Sequence, residues 1–222
     1  MSQTLSRGLQ VLELLAREGR PLTAQEMAKS LGLSRPIVYR LLHTLAQHHL
    51  LSNEVENGRY DLGLGLLSLS RSVQKDLRSA AFPIIKSLVH QLDTTAVLGL
   101  RDGDEVVYVL AVEPEFARMA VRSREGTRRP IDDSTSGLAL RLTLEPSPDD
   151  DEELRQARAK GFAARHIVID YQATAIAAPI PSFPGPSDAC VTVLFPNVID
   201  DIDDKAAVIV EAAQRVARVV RI

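Results

Sequence analysis

The chain has 222 residues, 45% of them hydrophobic and 25% charged, the balance of an ordinary globular protein with room for one or two domains. No run of about 18 apolar residues occurs. Gln10 and Glu13 interrupt Leu9–Leu15, so the N-terminus lacks the layout of a signal peptide, and a cytoplasmic protein without a membrane partner is predicted. A single cysteine, Cys190, excludes an internal disulfide and any multi-cysteine metal site. The net charge of −3 divides unevenly. Residues 1–78 hold 10 Lys+Arg against 7 Asp+Glu, and residues 79–222 hold 16 against 22, which suggests two parts with different partners.

Leu5, Leu9, Leu12, Leu15 and Ala16 recur at helical spacing and predict a first helix to about Glu18, ended by Gly19 and Pro21. Thr23 with Glu26 three residues later is a capping-box spacing that starts a second helix, which Gly32 stops. Ser34 is read as the cap of a third helix, with Pro36 tolerated in its first turn. Ile37, Val38, Leu41, Leu42 and Leu45 make its buried stripe, while Arg35, Tyr39, Arg40, His43 and Thr44 lie off it. Two short helices joined by a tight turn form a helix-turn-helix, whose second helix offers its N-terminal half to the major groove of DNA. Exposed arginines on a helix are commonplace, so this face alone is weak support for recognition.

The continuation strengthens it. Asn57-Gly58 between short extended segments is a strong hairpin signal, and a hairpin directly after a recognition helix is a wing. Arg59, placed at its tip, is within reach of a phosphate or the minor groove. The DNA-facing set is then Thr23, Ser34, Arg35, Pro36, Tyr39, Arg40, His43 and Arg59.

Beyond the wing, Ala80 to Leu92 reads as an amphipathic helix broken or started at Pro83. Thr95 to Leu100 and Glu105 to Val112 are strands joined by a hairpin turn, and Ala117 to Ser123 is a third strand candidate. Ser134–Gly137 precedes a short helical run, and a charged helix covers Asp149 to Lys160 with acids at its start. Ala163 to Asp170, Thr174 to Ile180 and Ala189 to Phe195 complete the strands, and Asp200 to Val220 is a closing helix. Hairpin-linked strands with helices at intervals indicate an α+β domain with a largely antiparallel sheet.

No enzymatic constellation is present. The chain has no HExxH, no Gly-x-Ser-x-Gly and no phosphate-binding glycine loop, and Cys190 lies in the apolar run ACVTVLF, where an inert thiol is expected. The acid clusters Asp149–Glu153 and Asp200–Asp204 precede helices and read as dipole partners rather than metal ligands. No cofactor and no metal are predicted. Ser134–Gly137 is the best ligand candidate, although plain helix capping explains it equally well.

The opening TLSRGLQVLELLA, the segment LGLSRPIVYRLLHTL and the wing with its exit NGRYDLGLGLLSLS resemble the IclR family of bacterial transcriptional regulators, a likeness that continues to the C-terminus. The resemblance implies a winged helix-turn-helix over residues 1–62, a linker helix over 63–78 and a GAF-like effector-binding domain over 79–222. It further implies backbone N–H groups of Thr135 and Ser136 against an effector's carboxylate, with Met119 and Val121 on the apolar side. Arg165 stands where the family often has an acid, Ala175 where Cys or Ser is frequent, and Thr192 and Leu194 where serines are common. The chain is also shorter between Leu144 and Glu152, which predicts a reduced pocket wall or lid. Together these departures suggest a small organic acid with an apolar or aromatic body, oriented by Arg165 and the Thr135-Ser136 N–H groups. The family implies a homodimer, often a dimer of dimers, on a near-palindromic double-stranded operator. The expected function is a DNA-binding regulator, more specifically a repressor, controlled by that acid. A small-molecule sensor or enzyme merely dimerised by its winged helix, and a protein–protein adaptor, are the rivals.

Overall fold

The computed structural model describes residues 2–52, 58–70, 75–115, 119–168, 172–181 and 189–220. The chain divides into two compact units, Met1–Val73 and Gln74–Ile222. Among the described residues, no helix is long and apolar enough to cross a membrane.

The first unit contains α1 (Gln3–Glu18), β1 (Leu22–Thr23), α2 (Ala24–Leu31), α3 (Arg35–Gln47), β2 (Arg59–Tyr60) and α4 (Gly65–Ser70). Its core is Val11, Leu14 and Leu15 of α1, Met27 and Ala28 of α2, and Val38, Leu41, Leu42 and Leu45 of α3. Of the α1 stripe expected from spacing only Leu15 is buried, while Leu5, Leu9 and Ala16 are exposed and Leu12 is half-buried, so the helix turns a different face inward. Local chemistry fixes the boundaries. Gly19 and Gly32 take the left-handed conformation that ends α1 and α2. The capping box at α2 is complete, with the Thr23 hydroxyl accepting from the Glu26 N–H and the Glu26 carboxylate accepting from the Thr23 N–H at 2.7 Å. At α3 the expectation needs correction: Ser34 holds the N-cap position, but its side chain makes no capping bond.

β2 pairs antiparallel with β1, so the wing's returning strand is anchored beside the start of α2. A bridge between Leu51 and Leu62 closes the wing's base. Asn53 to Asn57, including half of the Asn-Gly turn, lie outside the described residues. Gly63 and Gly65 leave this base where a Cβ would strike the backbone of His49 and Leu51, so the glycines of the wing exit are required by close approach.

The expected linker and the helix after it are partly revised. Gly63 and Leu64 are not helical, α4 begins at Gly65, and residues 71–74 lie outside the description. α5 (Lys75–Leu92) starts five residues earlier than Ala80 and carries Pro83 inside it.

In the second unit, β3 (Thr95–Asp102), β4 (Glu105–Val112), β5 (Arg128–Pro130), β6 (Ala163–Val168), β7 (Gln172–Pro179) and β8 (Ala189–Phe195) form one sheet in the order β5-β4-β3-β8-β7-β6. Every pairing is antiparallel. α5 and α8 (Ile202–Val220) cover one face, burying Ile84, Ile85, Ile209 and Val216 against Leu98, Ile176, Val191 and Val193. The opposite face packs against α6 (Thr135–Arg141) and α7 (Glu152–Lys160) through Leu138, Leu140 and Leu154. With both faces covered, β8 is buried along its whole length, which explains its continuous apolar run.

The strand expected over Ala117 to Ser123 is absent from residues 119–123, and Phe116 to Arg118 lie outside the description. Met119 and Val121, which would share one face of a strand, differ in burial, Val121 being buried and Met119 exposed, and among the described residues no strand pairs with 119–123. The Ser123 N–H instead donates to the Glu113 carboxylate at 3.2 Å. The fifth strand, β5, is a polar stretch that apolar patterning could not reveal.

Candidate functional site

α3 presents a face of exposed polar groups. Arg35, Pro36, Tyr39, Arg40 and His43 are exposed, opposite the buried Val38, Leu41 and Leu42. Among the described residues neither Arg35 nor Arg40 forms an ion pair, so both guanidinium groups keep their donors for an outside acceptor. Tyr39 is 54% exposed, unusual for an aromatic side chain on a packed helix. Thr44 donates to the Arg40 carbonyl, and His43 lies 3.2 Å from the Gln47 amide.

Two members of the expected DNA set are otherwise engaged. The Thr23 hydroxyl is consumed by the capping box. Arg59 is not at a free tip: it donates to the Pro21 carbonyl at 3.1 Å and lies 3.6 Å from Glu26. The wing strand therefore uses Arg59 to tie itself to the start of α2. This network also acts on Glu26. Bonds from the Thr23 backbone N–H, the Thr23 hydroxyl and Arg20 lower its pKa from 4.5 to about 2.

In the second unit a cavity of about 660 Å³ opens on the α6 face of the sheet. Strand register explains its wall: Ala175 lies opposite Leu194, and Ala177 opposite Thr192, so neighbouring strands deliver Ala175, Leu194 and Thr192 to one surface. Val121 and Ile167 add apolar area. The floor is a chain of hydroxyls. Tyr108 Oη lies 3.0 Å from Ser136 Oγ, which lies 2.8 Å from Thr192 Oγ1. Burial raises the Tyr108 pKa, keeping it a neutral phenol, while Ser136 and Arg129 act in the other direction. Thr135 also lines the cavity, and its buried hydroxyl has no hydrogen-bond partner. The Ser134 hydroxyl accepts from the Gly137 N–H at 3.0 Å, so this segment is both helix cap and cavity wall. Gly137 is dictated by sterics, because a Cβ there would overlap the backbone of Ile131.

Of the expected effector residues, the fold brings together Val121, Thr135, Ser136, Ala175, Thr192 and Leu194 around this cavity. It does not bring Met119, which is exposed and outside the lining, or Arg165. Arg165 lies opposite Ala175 in the register, yet its guanidinium is bound bidentately by Glu153 of α7 at 2.6 and 2.5 Å. That carboxylate raises the Arg165 pKa and is itself lowered in return. A cation so satisfied has little to offer a ligand.

Sequence reasoning missed Tyr108, Arg122, Arg129 and Asp133, all of which line the cavity. One signal existed, the juxtaposition of Arg128 and Arg129 on a strand, where alternation sends them to opposite faces. Arg128 meets Asp102 and Glu105, whereas Arg129 turns toward Tyr108. None of residues 144–152, the segment expected to leave a reduced wall, lines the cavity. The Arg158 guanidinium donates to the carbonyls of Arg141, Leu142 and Leu144, where α6 leads into that segment. Cys190 is fully buried, and burial pushes its thiol up to about 12, as expected for an inert residue.

Residues 4–54 match the IclR helix-turn-helix domain, and residues 70–151 match the bacterial transcriptional regulator IclR C-terminal domain. The chain is 33% identical over 140 residues to the HTH-type transcriptional regulator XynR of Escherichia coli, an alignment covering 62% of this chain and 55% of XynR. It thus spans about half the length of the curated relatives it matches. The fold is similar over 99% of both chains to an IclR transcriptional regulator from Alicyclobacillus acidocaldarius, with a TM-score of 0.79 and 26% identity. An IclR homologue from Microbacterium hydrocarbonoxydans, crystallised with 4-hydroxybenzoate, superposes with a TM-score of 0.83 at 22% identity, again over 99% of both chains. With a winged helix-turn-helix ahead of a six-stranded antiparallel sheet whose α6 face holds a cavity, the chain belongs to the IclR family of bacterial transcriptional regulators.

Proposed function

We propose that this protein is a sequence-specific DNA-binding transcriptional regulator whose occupancy of its operator is set by a small organic acid in the second unit's cavity. The observation that carries the DNA-binding reading is the exposed face of α3, where Arg35, Tyr39, Arg40 and His43 stand free of any ion pair among the described residues. Arginine bonds guanine bidentately in the major groove, and tyrosine and histidine position the backbone. Symmetric half-sites about 34–36 Å apart call for a dimer. Leu5 and Leu9 of α1, with Leu64, Leu67 and Leu69 at α4, are exposed and supply apolar area for it within the first unit. A dimer seated on its operator excludes other proteins from that DNA by volume alone, which makes repression the simplest outcome. Residues 63–78 are the proposed linker.

A cavity with an apolar wall, a hydroxyl floor and two arginines supports an organic-acid effector, as does the 4-hydroxybenzoate carried by the Microbacterium homologue. Gel shifts on the DNA flanking the protein's own gene test the reading. Affinity is expected to fall steeply with salt. Arg40→Ala is expected to relax base preference and cost about 1–3 kcal/mol of binding. Because Arg59 is tied to Pro21 and Glu26, Arg59→Ala is expected to weaken binding indirectly, by loosening the wing. Unchanged binding in Arg40→Ala, or affinity indifferent to salt, would overturn the DNA-binding assignment.

A further inference from the structure

The exposed side chains of α3 do not share one direction. With about 100° of turn per residue, the buried Val38, Leu41, Leu42 and Leu45 define one side of the helix. The line opposite them runs through Pro36, Arg40, His43 and Gln47, all exposed and each within about 30° of it. Arg35 and Tyr39, also exposed, lie one turn apart on a single flank, about 110° and 70° from that line. The other flank carries Thr44, whose hydroxyl is already spent on the Arg40 carbonyl. A helix seated in the major groove turns the side opposite its packing core toward the base edges and its flanks toward the phosphates. Base contacts come from the N-terminal half of such a helix, which leaves Pro36 and Arg40 on the front. His43 and Gln47, nearer the C-terminal end, lie 3.2 Å from each other.

We infer that α3 divides its work between front and flank: Arg40 reads a guanine, Pro36 packs on a thymine methyl, and Arg35 with the Tyr39 hydroxyl holds a phosphate of one strand. The inference rests on the DNA-binding reading above and separates two arginines that exposure and charge leave equivalent. Arg40 faces the groove floor with its fork unpaired among the described residues, as bidentate contact with guanine O6 and N7 requires. Pro36 has no N–H to donate, so the base-edge feature its ring matches is the thymine C5-methyl. Four residues separate the two, about 6 Å along the helix, which places their bases within about two base pairs of each other. From its flank the Arg35 guanidinium meets phosphate oxygens before base edges. The Tyr39 phenol on the same flank adds a second donor, which accounts for an aromatic side chain left so exposed.

The test is selection of binding sites by the full chain from a random-sequence duplex library, followed by salt titration on the duplex that wild type selects. Wild type is expected to select half-sites with an invariant guanine and a thymine within about two base pairs of it. Arg40→Ala is expected to lose that guanine preference, about tenfold in wild type, and to keep the rest of the motif. Arg35→Ala and Tyr39→Phe are expected to select the wild-type motif and to bind it about tenfold and about threefold more weakly. In Arg35→Ala the slope of log affinity against log salt is expected to fall by about one, and Arg35→Lys, which keeps the charge, to recover it. Uracil in place of the thymine removes only the methyl group, and is expected to cost wild type about threefold and Pro36→Ser nothing. If Arg35→Ala changes the selected bases, Arg40→Ala does not, or uracil costs wild type nothing, the inference is wrong while the DNA-binding reading stands. If wild type selects no motif, both fall together. Circular dichroism of each variant separates lost binding from lost fold.

Discussion

On α3, Arg35 and Arg40 are exposed with no carboxylate in ion-pair reach among the described residues, whereas Ser136 and Thr192 in the second unit are each 1% exposed and bonded to each other. The two regions solve different problems. A DNA-facing side chain must bring unspent donors to a rigid acceptor array, so it is left solvated and its helix is fixed from behind by Val38, Leu41 and Leu42. A cavity floor must hold its shape without water, so its hydroxyls spend their hydrogen bonds on one another. On the proposed reading, polar residues on α3 are therefore dispensable for folding and needed for binding. Those of the floor contribute to both.

The sharpest way to break this contrast is through backbone contacts. Gly137→Ala drives a Cβ into the Ile131 backbone, and Gly63→Ala drives one into His49 and Leu51. Each is expected to cost about 3 kcal/mol or to prevent folding, measured as loss of soluble protein or as a depressed Tm. Neither site is polar, so a large effect in both units shows that close approach, not exposure, sets their sensitivity.

Next comes Ser136→Ala, which removes the shared partner of Tyr108 and Thr192. Leaving each of those buried hydroxyls short of a partner is expected to cost about 1–3 kcal/mol in denaturant unfolding. Arg40→Ala on α3 is expected to change the same measurement by less than about 0.5 kcal/mol. Equal costs for the two would erase the distinction. Arg165→Ala is smaller again. Its pair with Glu153 is partly exposed, so about 0.5 kcal/mol of stability is expected to go, with ligand affinity unchanged because Glu153 already occupies the guanidinium.

The smallest effect concerns pH. The Glu26 pKa is depressed from 4.5 to about 2 in the folded chain. Its stabilisation is therefore complete above about 4.5 and is lost as pH falls toward about 2. The Tm difference between wild type and Glu26→Gln is expected to be constant near neutrality and to close over that acid window. A difference that persists unchanged at the lowest pH would mean the carboxylate's charge plays no part in the cap.

How much could be read in advance differs between the units for a physical reason. Thr23 with Glu26, the glycines after α1 and α2, and the apolar spacing of α3 act within a few residues, so the helix-turn-helix was visible in the chain itself. Ser34 shows the limit of such rules, since a residue of the right type at the right position makes no cap bond. In the second unit the buried strands were legible from apolar runs, but β5 was not, because its pairing with β4 follows from register rather than hydrophobicity. Six of the eight expected pocket residues do meet at the cavity. The two that do not, Met119 and Arg165, failed because neither a broken strand nor a competing Glu153 leaves a mark at those positions.

By itself, then, the sequence determined the two-part organisation, the family and the helix-turn-helix, because these depend on short-range periodicity and capping. Only the tertiary structure decided which cations remain unspent. Arg165 and Arg59 are chemically equivalent to Arg129 and Arg40 in the sequence, but Glu153, Pro21 and Glu26 reach the first two across the fold. The pairing of a charge depends on neighbours brought in by sheet register and helix packing, and that information does not lie along the chain.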